Sequence, residues 1–109
     1  MFNEHLCPVF RALADPRRLC YVELLVNGDV SFGELAGLAP LAQTSVIHHL
    51  KVLEECGLLL SRKEGRQRLY TLRPERLEAA YDWMEQISGQ LDRRARRTQP
   101  RVSGSQTAP

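Results

Sequence analysis

Three sets of side chains in this sequence have types and spacings that could do chemistry. The first is Gln43, Thr44, Ser45, His48 and Lys51. On a helix turning about 100° per residue, Thr44, Ser45, His48 and Lys51 share one arc, and Val46, Ile47, Leu50 and Leu53 share the opposite one. Hydroxyls and an imidazole bond base edges or phosphates, and a lysine neutralises phosphate. Gln43 lies off the polar arc, but it stands in the first turn, where a side chain still reaches a groove, and its amide suits adenine. The acids Glu54 and Glu55, which a phosphate backbone would repel, come only at the end of the segment. His49 falls between the two faces and reads as a packed or capping histidine, and its side chain diverges from that of His48, so the two do not chelate. The second set is Arg62, Lys63, Arg66, Gln67 and Arg68, interrupted by one acid, Glu64. A cationic tip of this kind grips phosphates or enters a minor groove, and Gly65 lets it approach another surface closely. The third set is Cys7, Cys20 and Cys56, whose odd number and wide spacing argue against a disulfide framework and read as reduced thiols. No nucleophile is paired with a base, and neither a glycine-rich phosphate loop nor a zinc-ligand spacing occurs, so no catalytic residue, metal or cofactor is expected.

The elements that must position these groups are legible from local chemistry. A first helix spans about 4–14, with Pro8 near its start and Val9, Phe10 and Leu13 as its apolar stripe. Asp15-Pro16 restarts the chain as N-cap and first helical residue. The second helix carries Leu19, Val22, Leu25 and Val26 at helical spacing and stops at Asn27-Gly28. Ser31 and Glu34 fit a capping box that opens a short third helix ending near Gly37. A fourth helix covers about 42–56, with Ala42 as a poor N-cap and Gly57 in the place of a left-handed C-cap. Leu58–Glu64 and Gln67–Leu72 read as two strands of a tight hairpin, with Tyr70 and Leu72 turned inward. Pro74 opens a last helix to about Arg97, on which Leu77, Tyr81, Met84, Ile87 and Leu91 form a coiled-coil-like seam.

The fold expected is therefore mainly α with a small β-hairpin, an α+β winged helix-turn-helix ordered helix, helix, helix, helix, hairpin, helix. Residues 1–97 read as one DNA-binding and dimerisation domain, and 98–109, rich in Thr, Gln, Pro, Ser and Gly, as a disordered tail. The net charge of +2 does not announce nucleic-acid binding, so the placement of charge carries that reading. No apolar run approaches the roughly 18–20 residues of a membrane span, and no secretory signal is visible, so a cytoplasmic protein with no membrane partner is expected.

An ordered set of segments resembles the ArsR/SmtB repressors: Leu13-Ala14-Asp15-Pro16-Arg17-Arg18-Leu19, Gly33-Glu34-Leu35-Ala36, His49-Leu50-Lys51-Val52-Leu53, Gly57-Leu58, Glu64-Gly65-Arg66 and Tyr70. The likeness covers roughly residues 9–90. It implies a winged-helix homodimer with its interface on the first and last helices. It also implies a double-stranded, pseudo-palindromic DNA operator, commonly upstream of the regulator's own operon, and an inducer that releases the protein. On that basis Val9, Phe10, Leu13, Leu77, Tyr81, Met84, Ile87 and Leu91 are the expected interface. Two departures bear on DNA contact: Ala42 and Ile47 stand where the family commonly has serine.

The metal sites that the resemblance suggests are missing from the sequence. Ser31–Leu38 has no Cys-x-Cys pair, and the last helix carries Glu78, Asp82, Glu85 and Asp92 but no histidine. Two alternatives stay open: a thiol-, metal- or arsenical-responsive sensor using Cys7, Cys20 and Cys56, and a winged helix that binds protein. The run Arg93–Arg97 suits either flanking phosphates or the negative end of the helix dipole.

Overall fold

The computed structural model describes residues 4–98. Of the expected tail, Thr98 is the last residue of the final helix, and 99–109 lie outside the described residues.

A 3-10 turn, Glu4–Leu6, leads into α1 (Cys7–Leu13), with Pro8 in its first turn. Within the expected 4–14, the α-helix proper begins beside Pro8, which has no N–H with which to continue a helix upstream, and ends at Leu13. The Asp15 carboxylate accepts from the Arg17 and Arg18 N–H groups at 2.8 and 3.3 Å and caps α2 (Pro16–Leu25). The inward face of α2 is Tyr21, Val22 and Leu25. Leu19 and Val26, expected on that face, are 44% and 65% exposed. Tyr21 is the reason: burying its ring turns the helix so that the inner arc runs through Arg18 and Tyr21 and leaves Leu19 and Val26 at the far edge.

After Gly28, whose φ of 138° suits glycine, the chain forms β1 (Val30–Ser31). This two-residue strand was not anticipated, because it is too short to show a period-2 pattern. Ser31 also caps α3 (Phe32–Ala36): its hydroxyl accepts from the Glu34 N–H at 3.1 Å, and the Glu34 carboxylate accepts from the Ser31 N–H at 3.0 Å. Next comes α4 (Gln43–Glu55), where Ala42 offers no side-chain cap. Gly57, at φ 88°, turns the chain into β2 (Leu59–Glu64), which pairs with β3 (Gln67–Leu72). The sheet is antiparallel in the order β1-β3-β2, with Val30 opposite Tyr70 and Ser61 opposite Tyr70 on the other side. The 25-residue α5 (Pro74–Thr98) closes the described chain.

One core joins these elements. Val9, Tyr21, Leu35, Val46, Leu50, Leu53, Leu58 and Leu59 are fully buried in it. α5 adds Ala80, buried, and Leu77 and Ala79, half-buried. The Phe10 ring of α1 meets Trp83 of α5 edge to face at 5.6 Å. Among the described residues no helix is long and apolar enough to cross a membrane.

Asp15→Ala removes the carboxylate that satisfies two N–H groups at the start of α2. The expected loss of stability is about 1 kcal/mol, read from the midpoint of urea unfolding.

Candidate nucleic-acid interface

Val46, Leu50 and Leu53 seat α4 on the core. Gln43, Thr44, His48 and Lys51 are left exposed, and Ser45 is half-buried. Ile47, expected among the inward residues, is 49% exposed instead. It lies at the margin of the apolar arc, next to Lys51 on the helix surface, and the core closes over Val46 and Leu50 without enclosing it. Val52, which falls on the polar arc of the wheel, is half-buried beside Pro8, Arg11 and Ala12 of α1.

From behind, α4 is held by Arg18. Its Nε donates to the Ala12 carbonyl at 2.6 Å, and its Nη1 lies 2.9 Å from His49 Nδ1. A guanidinium has donors only, so Nδ1 accepts, and His49 is neutral with its proton on Nε2. The Tyr21 ring stands edge-on to His49 at 6.5 Å. Burial lowers the His49 pKa from its ordinary value near 6.5; the Asp15 charge opposes this, and Arg18, His48 and Arg17 push it further down. His49 therefore belongs to the scaffold, as its place between the two faces suggested. Burial raises the Asp15 pKa, but the Arg18 and Arg17 N–H groups and the Arg18 charge outweigh it and hold the carboxyl below its ordinary value.

The hairpin sorts its charges by strand alternation. The pairs Leu59–Leu72, Ser61–Tyr70 and Lys63–Arg68 share one face, which is buried at its base and basic at its tip. Leu60–Thr71, Arg62–Leu69 and Glu64–Gln67 share the other. On that outer face Arg62 pairs with Asp29 at 2.9 Å, approaches Glu64 at 3.6 Å and donates to the Thr71 hydroxyl at 3.2 Å. Thr71 in turn donates to Asp29 at 2.9 Å, and the Thr71 hydroxyl and Arg62 lower the Asp29 pKa. On the inner face Arg68 donates to Ser61 at 3.0 Å, and Ser61 donates to Glu54 of α4 at 2.8 Å. Glu54 thus ties the hairpin to the end of α4, a role its sequence position did not reveal. Lys63 and Arg66, exposed beside Gly65 at φ 63°, have no ion pair among the described residues.

A short helix, a break and an exposed polar helix beside a basic hairpin form the frame of a winged helix-turn-helix. The model for the bacterial regulatory protein, arsR family, matches residues 15–61, from the α2 cap into β2. The transcriptional repressor SdpR of Bacillus subtilis is 30% identical over 76 residues, 70% of this chain and 84% of that protein. The HTH-type transcriptional regulator CmtR of Mycobacterium tuberculosis is 38% identical over 87 residues, 80% of this chain and 74% of that one. This chain belongs to the ArsR family. The solved structure of an ArsR-like transcriptional regulator from Rhodococcus sp. RHA1 superposes with a TM-score of 0.74 at 29% identity, covering 90% of this chain and 96% of that one. An ArsR-family chain is a DNA-binding transcription regulator, and these relatives are regulators, not enzymes.

Two further regions of this ArsR-family chain had expected roles. On α5, Tyr81, Met84, Ile87 and Leu91 are exposed along one stripe, while Leu77 is half-buried. On α1, Phe10 and Leu13 are half-buried, and Val9, fully buried in its own subunit, has no surface to offer a partner. Trp83 escaped the sequence reading because it lies off the heptad-like seam, and its contact with Phe10 appears only in the fold. Cys7 and Cys20 are exposed and Cys56 is buried, where burial pushes its thiol up and its Sγ donates to the Leu53 carbonyl at 3.4 Å. Among the described residues no three His, Cys, Asp or Glu side chains gather as a metal-binding set.

The Arg18–His49 contact has a pH signature. With a folded pKa below the ordinary value near 6.5, His49 contributes stability that is fully present above 6.5 and is lost as pH falls through the lowered folded value. Urea unfolding at pH 8 and pH 5 is expected to show a larger loss at pH 5 in the native chain than in His49→Gln. Equal losses in the two would contradict it.

Proposed function

We propose that this chain is a homodimeric, sequence-specific repressor that acts in the cytoplasm on a pseudo-palindromic double-stranded operator, that of its own operon included. In this reading residues 1–97 act as one DNA-binding and dimerisation unit. The N-terminal turns of α4 enter the major groove with Gln43, Thr44, Ser45, His48 and Lys51, and the wing, 62–68, holds the flanking backbone or minor groove. The observation that carries the reading is the pairing of an exposed polar face on α4 with a braced wing whose tip presents Lys63 and Arg66 without ion-pair partners among the described residues. Arg62 and Arg68 contribute mainly by stiffening the wing, since each is already engaged within the subunit.

Dimerisation is supported by the apolar stripe Tyr81, Met84, Ile87 and Leu91, which a lone subunit leaves in water. A partner helix covering it would set two copies of α4 on one side of the duplex, about one DNA turn apart. The inducer is unidentified. A sensor built on Cys7, Cys20 and Cys56 draws no support from a gathered ligand set among the described residues.

Fluorescence anisotropy with duplex DNA from the chain's own upstream region and a scrambled control, at two salt concentrations, tests the proposal. Tight binding to the upstream DNA alone, falling steeply with salt, is expected; weak and equal binding to both would overturn it. Lys63→Ala and Arg66→Ala are each expected to lower the salt slope by about 1, whereas Arg62→Ala lowers stability more than slope. Met84→Glu places a charge in the α5 stripe and is expected to turn the dimer into a monomer in sedimentation equilibrium, with loss of tight operator binding.

A further inference from the structure

Ile47 is an exposed aliphatic residue at the margin between the apolar and polar faces of α4. It is 49% exposed on α4, although Val46 and Leu50 on either side of it are almost fully buried. Its neighbours one turn away on the helix surface, Thr44 at i−3 and Lys51 at i+4, are both exposed. It also lines an open groove of about 550 Å³ between α4 and the wing, with Phe32 and Tyr70 in the groove wall and Arg66 and Arg68 at its side. A duplex gripped by Lys51, Lys63 and Arg66 would set its base edges against this side chain, and the cationic margin suits a polyanion better than an apolar protein segment.

An isoleucine offers no hydrogen bond, so it cannot read the donor and acceptor pattern of a base pair. The one apolar feature in the major groove is the C5-methyl of thymine. A β-branched side chain is stiff about χ1 and presents a fixed shape to such a methyl. We propose that Ile47 is a specificity-determining residue that packs against a thymine C5-methyl in each operator half-site. The proposal rests on the DNA-binding reading above and adds a required base to it.

Duplexes enriched by the native dimer from a random pool supply the probe. Thymines are then replaced one at a time by deoxyuridine, which deletes the methyl and keeps every hydrogen-bonding group. At one position per half-site this is expected to weaken the native protein about fourfold, the value of one buried methyl. Ile47→Ala, which changes both subunits of the dimer, is expected to bind the thymine duplex at least as weakly as the native protein binds a duplex with both of these thymines replaced, and to be indifferent to the replacement. Its unchanged thermal unfolding would show that the half-exposed site tolerates the change. Enrichment without a required thymine, or equal sensitivity of native and Ile47→Ala proteins at every position, would overturn the proposal and leave DNA binding standing. Failure to enrich any duplex would overturn the DNA-binding reading itself, and this proposal with it.

Discussion

The Arg18 guanidinium donates to the Ala12 carbonyl on α1 and to His49 Nδ1 on α4, from a backbone that the Asp15 carboxylate holds in the first turn of α2. Three helices meet on one planar, permanently charged group whose donors point in fixed directions. Lysine, a flexible point charge, would not fix the same angles. The bond also fixes the chemical state of its partner: only a neutral imidazole accepts, so His49 serves the scaffold and leaves contact with other molecules to the exposed residues of α4. The orientation of α4 depends on this contact at its back and on Val46, Leu50 and Leu53 beneath it.

A second tether acts at the far end of α4. Glu54, Ser61 and Arg68 form a chain of hydrogen bonds from the helix into the wing, and Asp29, Thr71 and Arg62 brace the outer face of the same hairpin. These bonds tie the wing to the end of α4 and to the loop before β1. A surface organised in this way loses little conformational freedom on binding. In the proposed dimer, the exposed stripe of α5 would set two such surfaces against one duplex.

Features written in neighbouring residues were legible in the sequence. Asp15-Pro16, the Ser31–Glu34 box, Gly57 and the Glu64-Gly65-Arg66 turn each specify a local backbone by their own chemistry, and each lies where it was expected. What the sequence hid depends on distant partners. The rotation of α2 follows from where Tyr21 finds its cavity, and the pairing of β1 follows from β3 about forty residues away. Period counting could not separate Ile47 from its buried neighbours, because it lies at the edge of the arc, where tertiary packing decides. Counting charges likewise gave Arg62 and Arg66 equal weight, and what distinguishes them is the engagement of Arg62 by Asp29, far off in sequence, together with Glu64 and Thr71. Among the exposed residues of α4, Thr44, His48 and Lys51 were legible as such in the sequence and Ile47 was not.

In the proposed complex, two copies of α4, held at a fixed spacing by the α5 stripes, enter successive major grooves while the wings hold the flanking backbone. Footprinting of the bound upstream duplex tests it most directly, with dimethyl sulfate probing guanine N7 in the major groove and hydroxyl radicals probing the sugar backbone. The account predicts two centres of major-groove protection about one helical turn apart, roughly 10–10.5 base pairs, each flanked outward by a protected backbone segment. A single centre, or backbone protection without any change at guanine N7, would contradict it.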